Sequence, residues 1–250
     1  FGFTPKRSTN DAINRVVVKM ESSRNSGKYG AIISLDVSSA FDTAWWPAIL
    51  ARLKKLRLPH NLWHMCRDYF RDRVAKMEIA GAVSSKVVTR GCPQGSACGP
   101  GFWNILYDEV LQLYLPHGCE LTAFADDLVL QCSASSMTVL EQQVNLAISL
   151  ISDWGRGVKL SFNAGKTQAM VYARKRNVPT ANFIMNGVTL QIVDSIRYLG
   201  VTLDKDLKWK HHLVHLQKKA IKVIGRIASV ARNTWGLSSD VTELLYKCAI

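Results

Sequence analysis

Leu121-Thr122-Ala123-Phe124-Ala125-Asp126-Asp127-Leu128-Val129-Leu130 consists of two short apolar runs broken by an acidic pair. Each run has the length and composition of a strand, and the break between them has the length of a hairpin turn. From Gly91 to Gly155 there is no Lys or Arg, yet seven acidic residues occur there: Asp108, Glu109, Glu120, Asp126, Asp127, Glu141 and Asp153. Any cationic partner of the pair must therefore come from distant sequence. Two carboxylates on rigid strands with no ammonium group beside them suit a hard divalent cation such as Mg²⁺, which takes oxygen ligands. Asp also favours exposed turns for local hydrogen-bonding reasons, so this segment alone leaves a plain hairpin turn open.

The remaining charge is distributed unevenly. The 250-residue chain has a net charge of +13, but residues 1–155 carry sixteen basic and fourteen acidic groups, whereas residues 156–250 carry sixteen and five. A polyanion gripped mainly by the C-terminal part is the expectation, because phosphate neutralisation dominates nucleic-acid affinity. A hydrophobic content of 48% is enough for a sizeable core. No apolar run approaches the roughly 18 residues of a membrane span, so the chain reads as soluble with no membrane partner. It opens on Phe1 without a leader pattern and reads as a fragment. Six scattered cysteines without a Cys-x-x-Cys pair predict reduced thiols in an intracellular protein and no zinc knuckle.

Along the chain, Ser8 or Thr9 caps a helix through Val16-Val17-Met20, and Tyr29 to Val37 reads as a buried strand carrying Asp36 near its end. Trp46-Pro47 starts a helix, and a further helical pattern over Asn61 to Asp72 precedes a strand pair around Gly81. A glycine-rich loop from Gly91 to Gly101 leads into a helix that reaches Pro116. After the aspartate hairpin, an amphipathic helix runs to Trp154, with Gly155 and Gly157 expected to stop it. Asn186-Gly187 between apolar triplets predicts a two-residue hairpin. Basic helices close the chain from about Leu207. There, a Leu213-Leu216-Ala220-Val223-Ile224-Ile227 face is expected to pack inward.

Asp36 is the best third carboxylate, since an acid ending a buried strand is costly unless it has a partner or a purpose. Asp42 fits better as a helix cap or dipole partner. Gly165-Lys166-Thr167 is not a phosphate-binding P-loop: position 160 is Leu, and Gln168 to Tyr172 alternates like a strand. His211 and His215 share a helix face, but the acidic or thiol partners of a zinc site are missing around them.

Several motifs, in order and spacing, resemble the reverse transcriptases of non-long-terminal-repeat, LINE-type retrotransposons of insects. They are Phe1-Gly2-Phe3-Thr4-Pro5 with Arg7-Ser8-Thr9, Leu35-Asp36-Val37-Ser38-Ser39-Ala40-Phe41-Asp42, and Arg90-Gly91-Cys92-Pro93-Gln94-Gly95-Ser96. Phe124-Ala125-Asp126-Asp127, Leu160-Ser161-Phe162-Asn163 with Lys166-Thr167, and Tyr198-Leu199-Gly200-Val201 follow. The resemblance implies an α+β fold: a polymerase right-hand palm with an antiparallel sheet and packed helices. Residues 1–207 would form partial fingers and palm, and residues 208–250 the beginning of a basic helical thumb.

It further implies an RNA-directed DNA polymerase that extends a DNA 3′-end on an RNA template by two-metal phosphoryl transfer. The partners would be RNA template, DNA primer and deoxynucleoside triphosphates, and the location nuclear. Asp36, Asp126 and Asp127 would be catalytic and, with the Val37 carbonyl, would hold two Mg²⁺ ions, or Mn²⁺ in their place. Phe41 would exclude a ribose 2′-hydroxyl; Gln94, Gly95 and Lys166 would contact the nucleotide. Arg7, Arg90, Lys208, Lys210, Lys218, Lys219, Lys222 and Arg226, with Arg232, would contact nucleic acid. Ala164 and Ala97-Cys98 depart from the family's usual residues. A catalytically inactive nucleic-acid-binding remnant of such a polymerase is the alternative, opposed by the retained aspartates and Phe41.

Overall fold

The computed structural model describes residues 1–93, 95–174, 178–231 and 235–249. Helix α1 (Thr9–Asn25) starts at a reciprocal cap: the Ser8 hydroxyl accepts from the Asp11 amide at 3.2 Å while the Asp11 carboxylate accepts from the Ser8 amide at 2.8 Å. Strand β1 (Tyr29–Leu35) follows, then α2 (Ala40–Thr43), α3 (Trp46–Lys55) with Pro47 in its first turn, and α4 (His60–Phe70). A ribbon of β2 (Val74–Ile79) and β3 (Ala82–Val87) leads to α5 (Gly99–Tyr107) and a 3₁₀ turn at Asp108–Gln112. Next come β4 (Cys119–Phe124), β5 (Asp127–Ala134), α6 (Met137–Gly157) and β6 (Gln168–Tyr172). Three two-residue strands, β7 (Ile184–Met185), β8 (Val188–Thr189) and β9 (Gln191–Ile192), precede β10 (Ser195–Tyr198) and β11 (Val201–Asp204). The helices α7 (Lys210–Val230) and α8 (Ser239–Ala249) end the chain.

The central sheet has the order β4-β5-β1-β6-β9 and is antiparallel except between β6 and β9. Alternation along the strands builds two apolar layers. Ala31, Ile33 and Leu35 of β1, with Leu128 and Leu130 of β5, face Leu140, Val144, Ile148 and Ile151 of α6 and Ile49, Phe102 and Trp103 of α3 and α5. Ile32, Val129 and Met170 face the other way, onto Ala12, Val16 and Met20 of α1 and onto Ile196, Tyr198 and Leu203 of β10 and β11. Burial on both faces is why β1 reads as a continuous apolar run rather than an alternating one. At about 1.5–3 kcal/mol per fully buried aliphatic side chain, this double burial is what fixes the strand's register.

Four expectations are corrected. Helix α6 runs through Gly155 to Gly157, because Gly155 serves close packing rather than termination: a Cβ there would lie 2.8 Å from the Leu160 carbonyl oxygen. The α7 face does not pack inward as a whole; Ala220, Val223 and Ile227 are half-buried, while Leu213, Leu216 and Ile224 are exposed, since α7 packs only along β11 and α8 among the main contacts. Asp36 is half-exposed, 40% of its side chain reaching solvent, because β1 ends at Leu35. Cys119 and Cys132 are register partners across β4 and β5, with Cα atoms 4.1 Å apart, and are joined as a disulfide rather than held reduced. The Asn186-Gly187 hairpin forms as expected, with both residues at positive φ. Among the described residues no helix is long and apolar enough to cross a membrane.

Candidate active site

Register brings the acidic groups together. The last β1–β5 pair is Leu35 with Leu128, so Asp36 and Asp127 are the next residues to face each other across the strands. Asp127 is the first residue of β5, not part of the turn; it pairs with Phe124, and Ala125-Asp126 alone make the two-residue turn, with Ala125 at φ 53°. Asp126 and Asp127 are exposed. Partial desolvation, and then the charges of Asp126 and Asp36, raise the Asp127 carboxyl above the ordinary Asp range.

The turn is pinned from below. Trp103 Nε1 donates to the Ala125 carbonyl at 3.0 Å, and the Tyr107 hydroxyl donates to the Asp126 carbonyl at 3.5 Å. Burial, then Asp126 and Asp127, hold the Tyr107 phenol protonated well above its usual range. Gly2 lies against the turn so closely that a Cβ there would collide with the Ala125 nitrogen. The Asn104 amide fixes Gly2 in turn, donating to its carbonyl at 3.0 Å.

The backbone at Asp36 is equally constrained. Its amide donates to the Thr167 hydroxyl at 3.3 Å and its carbonyl accepts from the Asn163 amide at 2.8 Å, while the Ser38 amide donates to the Ser161 carbonyl at 2.9 Å. Val37 therefore bridges Phe162 as a non-bonded antiparallel pair, which turns its own carbonyl toward the opposite edge, where β5 lies. The Asn163 side chain accepts from the amides of Gly165 and Lys166, and the tight turn so formed sets Lys166 Nζ 4.0 Å from Asp36 Oδ2. Lys166, from forty residues beyond the hairpin, thus sets an exposed cation beside the acidic end of the sheet.

Phe41 packs on Trp103 with ring centroids 5.0 Å apart and edge-on to Phe3 at 6.1 Å, so the ring rests on the helix that holds the aspartate turn. The Gly91 loop is stapled beneath it: the Cys92 amide donates to the Phe41 carbonyl at 2.7 Å, the Gly91 amide to the Ala44 carbonyl at 2.7 Å, and Trp46 Nε1 to the Gly91 carbonyl at 2.8 Å. Further along this loop, Gly95 has φ +81° and open space where a Cβ would stand. Gln94 and Arg232 lie outside the described residues. Arg90 is exposed and bridges Trp45 through its backbone; Arg7 is exposed, its guanidinium 5.4 Å from the Phe1 ring centroid. Lys208, Lys210, Lys218, Lys219, Lys222 and Arg226 are exposed on or just before α7, an element separate from the aspartate end.

Asp36, Asp126, Asp127, the Val37 carbonyl and Lys166 are thus gathered at one end of the sheet, with Phe41 joined to them through Trp103. Sequence reasoning passed over Trp103, Tyr107, Asn163, Thr167 and Gly2 as supports; an indole and a phenol four residues apart in an apolar helix, and a glycine between two phenylalanines, were the signals available. The donor set, three carboxylates and a carbonyl, is all hard oxygen, as a Mg²⁺-like ion requires. Among the described residues no three His, Cys, Asp or Glu side chains converge tightly enough to form a ready-made cage.

The sequence profile of the reverse transcriptase (RNA-dependent DNA polymerase) family matches residues 1–203. The 115 kDa protein in type-1 retrotransposable element R1DM of Drosophila melanogaster is 35% identical over 248 residues, covering 98% of this chain and 24% of that protein. The RNA-directed DNA polymerase from mobile element jockey of Drosophila funebris is 26% identical over 259 residues, covering 100% of this chain and 28% of its own length. The chain therefore spans about a quarter of the length of these relatives. In three dimensions it is similar to telomerase from Candida albicans, with a TM-score of 0.59 at 15% identity over 80% of this chain and 33% of that one, a likeness of fold. The α+β architecture is that of a right-hand polymerase, and the chain belongs to the reverse transcriptase family.

Proposed function

We propose that this chain is the catalytic part of an RNA-directed DNA polymerase from an insect-type non-LTR retrotransposon, with residues 1–207 as partial fingers and palm and 208–250 as the start of the thumb. The facing of Asp36 and Asp127 across β1 and β5, with Asp126 in the adjoining turn, carries this reading. The reaction joins the 3′-oxygen of a DNA primer to the α-phosphorus of a deoxynucleoside triphosphate and releases pyrophosphate, on an RNA template. Two Mg²⁺ ions, or Mn²⁺, when bound would acidify the 3′-hydroxyl and offset the charge gathering on the leaving pyrophosphate. Asp36, Asp126 and the Val37 carbonyl would hold them, with Asp127 assisting.

The remaining roles are those the family resemblance implies. Phe41, its ring held by Trp103 and Phe3, would exclude a ribose 2′-hydroxyl and so select deoxynucleotides. Gln94 and Gly95 belong to the loop against the incoming nucleotide, and the open space at Gly95 suits a close approach of backbone to sugar or base. Lys166, beside Asp36, places an ammonium group near the triphosphate and can protonate the departing pyrophosphate. Arg7, Arg90 and the basic groups of α7 bind the template and duplex backbone, which makes affinity salt-dependent. Priming on chromosomal DNA would put the parent protein in the nucleus.

Primer extension on poly(rA)/oligo(dT) with Mg²⁺ tests this reading, comparing the chain with its Asp126→Ala variant. Extension that is lost in the variant supports it. Equal inactivity of both with duplex binding retained would replace it with a non-catalytic binding remnant.

A further inference from the structure

Tyr198 ends β10, directly before the Leu199-Gly200 turn, and is only 2% exposed. Its hydroxyl is sealed from solvent and has no hydrogen-bond partner among the described residues. It belongs to the buried cluster that includes Ile32, Val129, Met170, Ile196 and Leu203. A phenylalanine would fill that space without stranding a polar atom, so a tyrosine here is costly unless some state of the protein supplies its partner. Strand alternation identifies a candidate. Val129 of β5 points into this cluster, and Asp127, two residues earlier, shares its face. Burial, and then the Asp127 charge, keep the phenol protonated far above its usual range, as a donor.

Two other tyrosines sharpen the assignment. Tyr107, on the opposite face of the sheet, already donates to the Asp126 carbonyl. Tyr172 lies at the other end of β1, where its ring covers Gly30 and its hydroxyl has Ser23 beside it. Tyr198 alone of the three combines an uncommitted donor with a place beneath an acidic residue of the site.

We propose that Tyr198 is a positioning residue for Asp127: its phenol is held in reserve and donates to the Asp127 carboxylate when the acidic cluster takes up divalent cation. This deepens the proposed polymerase function and rests on it. In the metal-free chain, Asp127 is exposed, with the like charges of Asp36 across the strands and Asp126 in the adjoining turn. Once that repulsion is offset, the carboxylate can turn inward, and the phenol O–H fixes its orientation.

The test is Tyr198→Phe, read by Mg²⁺-dependent thermal stabilisation and by primer extension. Without Mg²⁺, the melting temperature of the variant should equal or exceed that of the parent chain, since only an unpaired hydroxyl is removed. The Mg²⁺ concentration giving half the thermal shift should rise on the order of tenfold, the scale of one charge-assisted hydrogen bond. In an Asp127→Asn background the same substitution should leave that concentration unchanged. A lower melting temperature without metal would mean that the hydroxyl has an ordinary structural partner and would overturn the proposal. So would an unchanged Mg²⁺ requirement in Tyr198→Phe. If the parent chain takes up Mg²⁺ as described yet extends no primer, the polymerase reading fails while the positioning role stands.

Discussion

Gly2 and Ala125 are in backbone contact: the space where Gly2 would carry a side chain is taken by the amide nitrogen and Cα of Ala125. The segment ahead of α1 is therefore a strut under the aspartate turn, clamped on its far side by the Asn104 amide. Gly2→Ala must move backbone rather than a flexible side chain. It should cost about 1–3 kcal/mol of stability and reduce extension in parallel, measured by denaturant unfolding and by single-turnover rate.

The raised Asp127 carboxyl has a defined pH signature. A folded-state value above the unfolded one means that the ionised form is disfavoured by folding, so this contribution to stability is fully present at low pH and lost as pH rises through the folded value. Asp127→Asn should raise the melting temperature of the metal-free protein at neutral pH, and the difference should disappear in acid. Glu120 works in the opposite sense. Burial alone would raise its carboxyl, but hydrogen bonds from Arg15 and Lys19 hold it below the ordinary range, so its contribution is lost as pH falls. Acid titration of melting temperature in Asp127→Asn and Glu120→Gln separates the two.

The division between what was readable and what was not follows the range of the interactions. The apolar runs of β1 and β5, the Ser8 cap and the Asn186-Gly187 turn are local patterns, and each element forms where its residues predict. Asp36 stood out as a third carboxylate from its place at a strand end, but that it faces Asp127 depends on a pairing between residues about ninety positions apart, which spacing cannot fix. The same range hid the Cys119–Cys132 pair, whose meeting requires the β4–β5 register. Gly155 misled because a glycine at a helix end satisfies both a stop and a close approach, and only the position of Leu160 distinguishes them.

Phe41 should govern sugar selection more than stability. Its ring is half-buried and lies tilted against Trp103, and such aromatic contacts contribute about 0.5–1.5 kcal/mol, so Phe41→Val should fold. The ratio of kcat/KM for deoxy- over ribonucleotide should fall by on the order of tenfold or more. An unchanged ratio would leave Phe41 as a packing residue only.

Lys218, Lys222 and Arg226 follow each other at four-residue intervals on exposed α7, forming a cationic stripe with a rise of about 6 Å per step. If each meets a phosphate, replacing one with Ala should lower the slope of log affinity against log salt by about 0.9, and replacing all three by about 2.7. Fluorescence anisotropy with an RNA–DNA duplex across a KCl series measures this. A uniform loss of affinity with unchanged slope would mean that α7 acts through packing instead.

Gly155 and Gly157, two residues apart at the end of α6, should respond to alanine with opposite signs. At Gly157 nothing lies within 4 Å of a new Cβ, so Gly157→Ala should stabilise by about 0.5–1 kcal/mol through reduced chain entropy. At Gly155 the methyl would press on the Leu160 carbonyl and, at 3.0 Å, on the Phe162 ring. The segment behind them cannot give way cheaply, because Asn163 and Ser161 hold the backbone of Asp36 and Ser38. Gly155→Ala should therefore lose about 1–3 kcal/mol despite alanine's better helix propensity, and extension should fall further than the stability loss alone explains, since the displaced strand carries Asp36 with it. Equal extension by the two variants under conditions where both are fully folded would show that the 160–163 segment does not set the position of Asp36.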